Sequence, residues 1–227
     1  MRRYARWHIW LGWLIGGPLL LWTASGVVMV LKPIEEVRGN DLRIERPKKT
    51  IATPPNPVAL PAASSDGPIE YRTFVQRRTA VTLLSFADGR VERYSAATGR
   101  PIPPMDESEA RAALSSDIRG GEAVSSLRAF PASAPPLDFR KPVDVWQATL
   151  PDGAHVYLNR HTGEIEAVRT RWWRFYDFMW GLHIMDLRTR EDAHNPFTIA
   201  FGILAFLGTL MGFVLLFRRR RARAAAR

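Results

Sequence analysis

Two long apolar segments stand out from the mixed pattern of polar and apolar residues along the rest of the chain. Ile9 to Leu31 is a run of 23 residues without Asp, Glu, Lys or Arg, and Phe197 to Phe217 is a second run of 21. A helix of either length, rising about 1.5 Å per residue, crosses a hydrocarbon core about 30 Å thick. The pattern therefore predicts two transmembrane helices, over 9–31 and 196–217, with the lipid bilayer as a partner.

The segment between the two runs contains strand and turn signals that occur twice. Asp88-Gly89 and Thr98-Gly99 recur 64 residues later as Asp152-Gly153 and Thr162-Gly163. Asp-Gly pairs favour tight turns that need positive φ, and we expect the Thr-Gly pairs to close the returning strands. One more strand precedes each hairpin, at Tyr71–Val75 and Val124–Phe130. The repetition predicts a duplicated β unit with about six antiparallel strands in total.

A helix is predicted between the two β units. Residues 106–114 are rich in alanine, Asp106 or Ser108 can cap the N-terminus, and Gly120-Gly121 lies beyond the C-terminus. The predicted fold class is therefore α+β, with two transmembrane helices flanking a domain of antiparallel sheet and one or two helices. The predicted division is 1–8 cytoplasmic tail, 9–31 first span, 32–68 proline-rich linker, 69–104 first β unit, 105–170 second unit, 171–195 interfacial aromatic segment, 196–217 second span and 218–227 basic tail.

Arginine is concentrated in the two ends of the chain. Nine arginines within residues 1–8 and 218–227 supply nine of the ten net positive charges, and neither segment contains an acidic residue. Short arginine-rich flanks stay in the cytoplasm, whereas a long loop is translocated largely irrespective of its charge. We expect both termini in the cytoplasm of a bacterium and the central domain on the periplasmic side of the inner membrane. The high net positive charge is then a signal of membrane topology, and we expect no nucleic acid as a partner.

A cleaved signal peptide is the alternative interpretation of the first apolar run. Thr23-Ala24-Ser25-Gly26 imitates a small-residue cleavage site. A signal peptide has an apolar region of about 7–15 residues, and this run is longer. Four tryptophans also crowd into it: Trp7, Trp10, Trp13 and Trp22. We favour a retained anchor, and cleavage stays open.

The second β unit and the ends of the spans resemble the PepSY domain and the PepSY-associated transmembrane family. The motifs that carry the resemblance are Tyr157 to Ile165, Trp7 to Gly12, Thr23 to Gly26, and Gly181 to His183. Asn159 stands where the PepSY pattern usually has aspartate. The resemblance covers most of the chain except the proline-rich 46–68.

The resemblance implies two kinds of function. Some larger members of the family, usually with four spans, are haem-containing reductases or accessory proteins of ferric-siderophore uptake. Other PepSY domains are inhibitory or interaction modules beside peptidases. We therefore expect a haem-binding or accessory electron-transfer component of iron acquisition. The alternative is a non-catalytic interaction or peptidase-modulating module, and an accessory subunit with neither cofactor nor inhibition also stays open.

Three histidines are the candidate cofactor ligands, and the resemblance implies haem b as the cofactor. His183 and His194 precede the second span, while His8 lies at the cytoplasmic end of the first. The first span rises about 35 Å from His8 to Leu31, so His8 is too far away to share a haem with the other two. In a parallel homodimer His8 could meet His8 of the second copy, and His183 or His194 could do likewise. Another membrane protein is the alternative partner. Gly208 and Gly212 on the second span, with Gly12, Gly16 and Gly17 on the first, permit close helix approach.

Simpler interpretations of these residues remain. Each histidine can also be an interfacial side chain, packed beside tryptophan and hydrated by water, that binds no cofactor. Met179, His183 and Met185 form a weak copper pattern, because methionine at helical spacing is usually packing. The aromatic stretch from Trp172 to Leu187 predicts one interfacial helix. Acidic neighbours of the two outer histidines, at Asp177, Asp186, Glu191 and Asp192, are candidates for orienting their rings.

Several classes of chemistry are excluded by composition. The chain has no cysteine, which removes disulfides, thiol catalysis and cysteine-ligated metals. Phosphate-cradling, dinucleotide and nucleophile-elbow motifs are also missing from the sequence, so no catalytic residue and no metal site are assigned. If the protein moves electrons, another membrane component must be the donor. The two remaining histidines, His155 and His161, lie on the second hairpin, and His161 is interpreted as a solvated turn residue.

Overall fold

The computed structural model of the protein describes residues 2–45, 57–58 and 66–224. Residues 46–56 and 59–65 of the predicted proline-rich linker therefore lie outside the described residues. The chain divides into two compact units. We call Met1–Pro33 with Arg174–Arg227 the membrane unit, and Ile34–Trp173 the sheet unit.

Two long helices dominate the membrane unit. Helix α1 covers Arg2–Val30 and helix α5 covers Pro196–Ala224. Each contains a candidate membrane span, Arg6–Val30 and Pro196–Arg218. The prediction of two transmembrane helices is thereby confirmed. Most of their large apolar side chains point outward, as a lipid environment requires.

The sheet unit contains two four-stranded antiparallel sheets, each with its strands in sequential order. The first sheet is formed by β1 (Pro68–Gln76), β2 (Thr79–Phe86), β3 (Val91–Ser95) and β4 (Pro101–Ile102). The second is formed by β5 (Ser126–Phe130), β6 (Val145–Thr149), β7 (His155–Asn159) and β8 (Ile165–Arg169). A short helix α2, Ile34–Val37, begins the unit.

The turn glycines adopt the backbone conformation that the sequence predicts. Gly89 and Gly153 have φ of 85° and 79°, and Gly99 and Gly163 have φ of 68° and 72°. Each Thr-Gly pair leads into a fourth strand rather than closing the unit, so the described part of the chain has eight strands in the two sheets instead of about six. β4 is only two residues long, which explains why it carries no alternating pattern. The duplication itself stays a prediction.

Helix α3, Glu107–Asp117, lies where the sequence predicts a helix, and the α+β fold class is confirmed. The Asp106 side chain caps it by accepting a hydrogen bond from the backbone N–H of Glu109. Its buried face packs on the second sheet in one apolar cluster, in which Leu114, Val156 and Leu158 are fully buried. The opposite face of the sheet is covered by a second cluster around Tyr157.

The aromatic segment forms a shorter helix than the sequence predicts. Helix α4 covers Arg171–His183 and does not continue to Leu187. It ends in a Schellman motif, because the N–H of Asp186 donates to the Gly181 carbonyl and Met185 adopts φ of 55°. The usual glycine signal for this ending is absent from the sequence, since methionine occupies the left-handed position.

Candidate functional site

His183 is the last residue of α4, and its ring packs directly on α1. The imidazole stacks on Trp22 with the ring centroids 4.6 Å apart and the planes inclined by 20°. Gly26 lies beneath it, and a Cβ at that position would be 3.3 Å from His183 Cε1. The small residue after Ser25 therefore gives the ring room to approach the helix.

The hydrogen bonds of the ring assign its tautomer. His183 Nδ1 lies 3.1 Å from the carbonyl oxygen of Trp22 and 3.1 Å from Ser25 Oγ. The carbonyl only accepts, and the buried Ser25 hydroxyl donates to that same carbonyl at 2.9 Å. The Nδ1-protonated tautomer satisfies all three contacts, and in a neutral imidazole it leaves the lone pair on Nε2. Histidine ligands in metal sites are commonly prepared in this way.

A compact loop follows α4 and carries the second candidate, His194. Asn195 Nδ2 donates to the Ile184 carbonyl at 2.8 Å, which brings the neighbours of His183 and His194 into contact. Asn195 Oδ1 also accepts from the N–H of Thr198 and caps α5. The His194 side chain is exposed, and its backbone N–H donates to Asp192 Oδ1.

The acidic residues of this segment organise the loop. The Asp186 carboxylate accepts backbone N–H groups of Arg188, Thr189, Glu191 and Asp192, besides the Thr189 hydroxyl. These hydrogen bonds, led by the Thr189 side chain, hold the pKa of Asp186 far below its usual value. The sequence predicts that acidic neighbours orient the histidine rings. At His183, Ser25 and the Trp22 carbonyl orient the ring instead.

A buried ion pair joins the middle of α4 to the same loop. Asp177 is 5% exposed, and Arg190 Nη1 donates to its Oδ2 at 2.7 Å. Trp180 Nε1 also donates to the Arg190 carbonyl at 3.1 Å. Removing either partner of such a pair leaves an uncompensated buried charge, so the pair fixes the loop against α4.

The third candidate, His8, lies near the other end of α1. A Cβ on Gly212 of α5 would be 3.0 Å from His8 Cε1, so the ring packs closely against the glycine. His8 Nδ1 is buried, and no atom of the residues that the structure describes forms a hydrogen bond with it. Eighteen residues separate His8 from Gly26, which corresponds to about 27 Å along the helix. His8 and His183 therefore belong to separate sites.

The two histidines of the sheet unit are both paired with aspartate. His155 Nδ1 lies 2.9 Å from Asp138 Oδ2, and His161 Nε2 lies 3.0 Å from Asp144 Oδ2. The His161 hydrogen bond is the main cause that lowers the pKa of Asp144. The His161 side chain is therefore held by a hydrogen bond to Asp144, whereas the sequence predicts a solvated turn residue.

Sequence reasoning missed the residues that hold His183. Trp22 and Ser25 are separated from it by 161 and 158 residues. Their spacing of three places them on one helix face, and only this local relation is visible in the sequence. Among the described residues, no group of three or more His, Asp or Glu side chains is arranged to hold a metal ion.

The fold and the histidines at the helix ends define a class: a membrane protein whose two candidate spans flank a unit of paired antiparallel sheets. A family model described as PepSY-associated TM region matches residues 5–227. The chain therefore belongs to the PepSY-associated transmembrane family. No curated protein matches the chain, and no solved structure matches it.

Proposed function

We propose that this protein is a haem-binding or accessory electron-transfer component of iron or siderophore acquisition, acting at the periplasmic face of the bacterial inner membrane. The observation that carries the proposal is the His183 ring, whose Nδ1 contacts the Trp22 carbonyl and Ser25 Oγ on α1, an arrangement that suits Nε2 as a ligand atom. The iron-acquisition part rests on membership of the family. Periplasmic placement rests on the arginine-rich flanks.

The residues present fit a haem ligand at one position. A neutral imidazole whose Nδ1–H donates to a carbonyl is a suitable axial ligand, and bound haem would supply one-electron transfer. Trp22 stacks on the imidazole and restrains its orientation. His183 would hold the group, and Ser25 would maintain its tautomer.

A second ligand is needed for six-coordinate haem b. His194, on the loop that follows α4, is one source of this ligand, and His183 of a second copy is another. His8 lies about 27 Å away along α1 and would serve a separate haem. The observation that favours a role for that ring beyond packing is its buried Nδ1, which has no hydrogen-bond partner among the described residues.

The proposal is tested by visible spectroscopy of the full-length protein, purified in mild detergent from a haem-replete host. We expect a reducible b-type spectrum and a stoichiometric pyridine haemochrome. His183→Ala should abolish the signal of the haem that His183 holds, and any separate signal that remains should be lost in His8→Ala. His194→Ala should weaken or abolish the His183 signal, and His161→Ala, in the sheet unit, should leave the spectrum unchanged. A colourless, folded preparation of the unmodified chain would refute haem binding.

A non-catalytic interaction module is the second candidate, and the first sheet favours it. Ile69 to Arg72 of β1 are exposed in succession. Among the described residues, β1 is the first strand in the order of its sheet, and an edge strand is where a peptide can add a further strand. A photo-cross-linking residue at Tyr71 should capture a discrete partner, whereas one at Ser115 on α3 should not. Capture that persists in His183→Ala would separate this function from haem binding.

A further inference from the structure

A long loop crosses one face of the second sheet from end to end. Residues 131–144 connect β5 to β6, and both strand ends lie at the same end of the sheet, where Phe130 pairs with Val145. The loop nevertheless reaches the opposite end, because Asp138 contacts His155 and Arg169, which pair with each other in register. The turn around Asp138 is therefore far from the two ends of its own loop.

That opposite end of the sheet also carries both covalent connections to the membrane unit. Gly39, just after the connection from α1, packs so closely on β8 that a Cβ would be 2.7 Å from Val168 Cγ1 and 3.5 Å from Thr170 Cγ2. The chain leaves the sheet again after β8, enters α4 at Arg171 and passes into the membrane unit after Trp173. We call this end of the sheet the tethered end.

Leu137 projects from the loop at the tethered end and is 90% exposed. No large apolar side chain of the described spans is more exposed; the highest value there is 82%, at Trp13. A lone exposed leucine is ordinary by itself. Leu137 lies in a turn that fixes its position. The turn is closed by hydrogen bonds from the N–H groups of Phe139 and Arg140 to the Pro136 carbonyl.

The residues that follow Leu137 anchor the turn. Phe139 is 3% exposed and stacks on Tyr157 with a centroid separation of 4.6 Å. Tyr157 donates its hydroxyl hydrogen to Asp138 Oδ1 at 2.5 Å, and Arg169 Nε donates to the Asp138 carbonyl at 2.8 Å. Leu137 cannot turn inward without breaking these contacts. Its exposure therefore follows from the anchoring of Asp138 and Phe139 on the sheet.

Cationic and interfacial side chains surround the turn. The Arg169 guanidinium lies 4.0 Å from the centroid of the Trp173 ring, and that of Arg140 lies 6.0 Å from the same ring. Arg171 lies against the neighbouring hairpin, where a Cβ on Gly153 would be 2.9 Å from its Nε. An apolar tip, a tryptophan and several arginines form the set that peripheral proteins use at the interface of anionic lipid.

We propose that the tethered end rests on the membrane surface, with Leu137 inserted among the lipid headgroups and Arg140 and Arg171 facing their phosphates. The partner is the surface of an anionic phospholipid bilayer. Two observations select it over a protein: the chain enters the membrane unit from this end, and the arginines complement phosphate charge. The inference is independent of haem binding.

The absence of cysteine allows a direct test on the full-length protein. Leu137→Cys carries a nitroxide spin label, and the protein is reconstituted into vesicles of phosphatidylethanolamine and phosphatidylglycerol. Collisions of the label with oxygen, which concentrates in lipid, are compared with collisions with a water-soluble nickel chelate. The Leu137 label should show a several-fold higher ratio of oxygen to nickel collisions than the control label.

The control is Ser133→Cys, an exposed residue of the same loop beside Ala132, whose N–H donates to Asp144 at the end far from the tether. The ratio at Leu137 should fall when phosphatidylcholine replaces the anionic lipid or when Arg140→Gln is introduced. Equal ratios for the two labels would overturn the proposal. A label at Leu137 that is shielded from both oxygen and the nickel chelate in the vesicles would assign the contact to protein and overturn the proposal too.

Discussion

At the residue scale, buried charges are arranged with specific partners inside the sheet unit. Arg93 of β3 is 3% exposed and forms a bidentate pair with Glu109 of α3, at 2.9 and 3.0 Å. It also donates to the Pro103 carbonyl at 3.1 Å. This one side chain therefore connects the first sheet to the helix that covers the second.

Glu109→Ala should destabilise the protein by about 3 kcal/mol, because it leaves the Arg93 charge buried without its counter-ion. Thermal unfolding of the purified full-length protein measures the change. Glu107→Ala is the matched control on the same helix, since Glu107 pairs with Arg111 in an exposed i,i+4 contact. The control should change stability by less than about 0.5 kcal/mol. Equal effects of the two substitutions would show that Arg93 does not depend on Glu109.

Asp144→Asn should reduce stability in a pH-dependent way. The folded-state pKa of Asp144 is lowered by its hydrogen bonds from His161 and from the Ala132 N–H. A lowered carboxyl pKa stabilises the folded state above the unfolded value, near 3.9, and this contribution is lost as pH falls through the folded value. The melting temperatures of the variant and the unmodified protein should therefore differ at pH 6 and converge below about pH 4. A difference that stays constant down to pH 3 would contradict the assignment.

At the element scale, α1 and α5 approach each other through small residues. A Cβ on Gly208 would be 2.8 Å from Ile15 Cδ1, and one on Gly212 would meet the His8 ring. Gly208 and Gly212 of α5 therefore contact α1 of the same chain, whereas the sequence analysis considered them for contacts in a dimer. Gly12, Gly16 and Gly17 of α1 have open space beside them, so that face is accessible.

Gly208→Leu should loosen the helix pair, because the new side chain must displace Ile15. We expect a loss of about 1–3 kcal/mol, as for other overpacked contacts, measured as a lower melting temperature in detergent. The control is Gly202→Leu on the same helix, where a Cβ would have nothing within 4 Å. A similar melting temperature for both variants would mean that the α1–α5 contact contributes little to stability.

At the scale of the whole molecule, two spans divide the chain into flanks and a folded unit between them. The arginine-rich flanks predict that both termini are cytoplasmic and that the sheet unit is periplasmic. The fold is compatible with this topology, because Ile34–Trp173 forms its own compact unit with an apolar core. This unit would be the part exposed to partners and to the periplasmic pH.

The topology can be measured with single cysteines. Ser115→Cys on α3 should react with a membrane-impermeant maleimide in intact spheroplasts, whereas Ala222→Cys should react only after the membrane is permeabilised. The absence of native cysteine removes background labelling. Reaction of Ala222→Cys in intact spheroplasts would contradict the predicted orientation. Protection of Ser115→Cys from the maleimide there would contradict it too.

The sequence by itself determined the features that arise from local physical chemistry. The two spans follow from the length of an uncharged run, the turn glycines from the need for positive φ, and α3 from its Asp106 cap. These signals lie within a few residues of the structure that they specify. The resemblance added the family, which the comparison with the whole chain confirms.

Only the tertiary structure decided which distant groups meet. His183 gains its tautomer from Trp22 and Ser25, more than 150 residues earlier, because α4 packs against α1. The two β4 residues are a strand only through pairing with β3, and the exposure of Leu137 follows from anchoring the next two residues on the sheet. Such contacts depend on how elements pack, and packing is set by long-range burial that leaves no periodic signal in the local sequence.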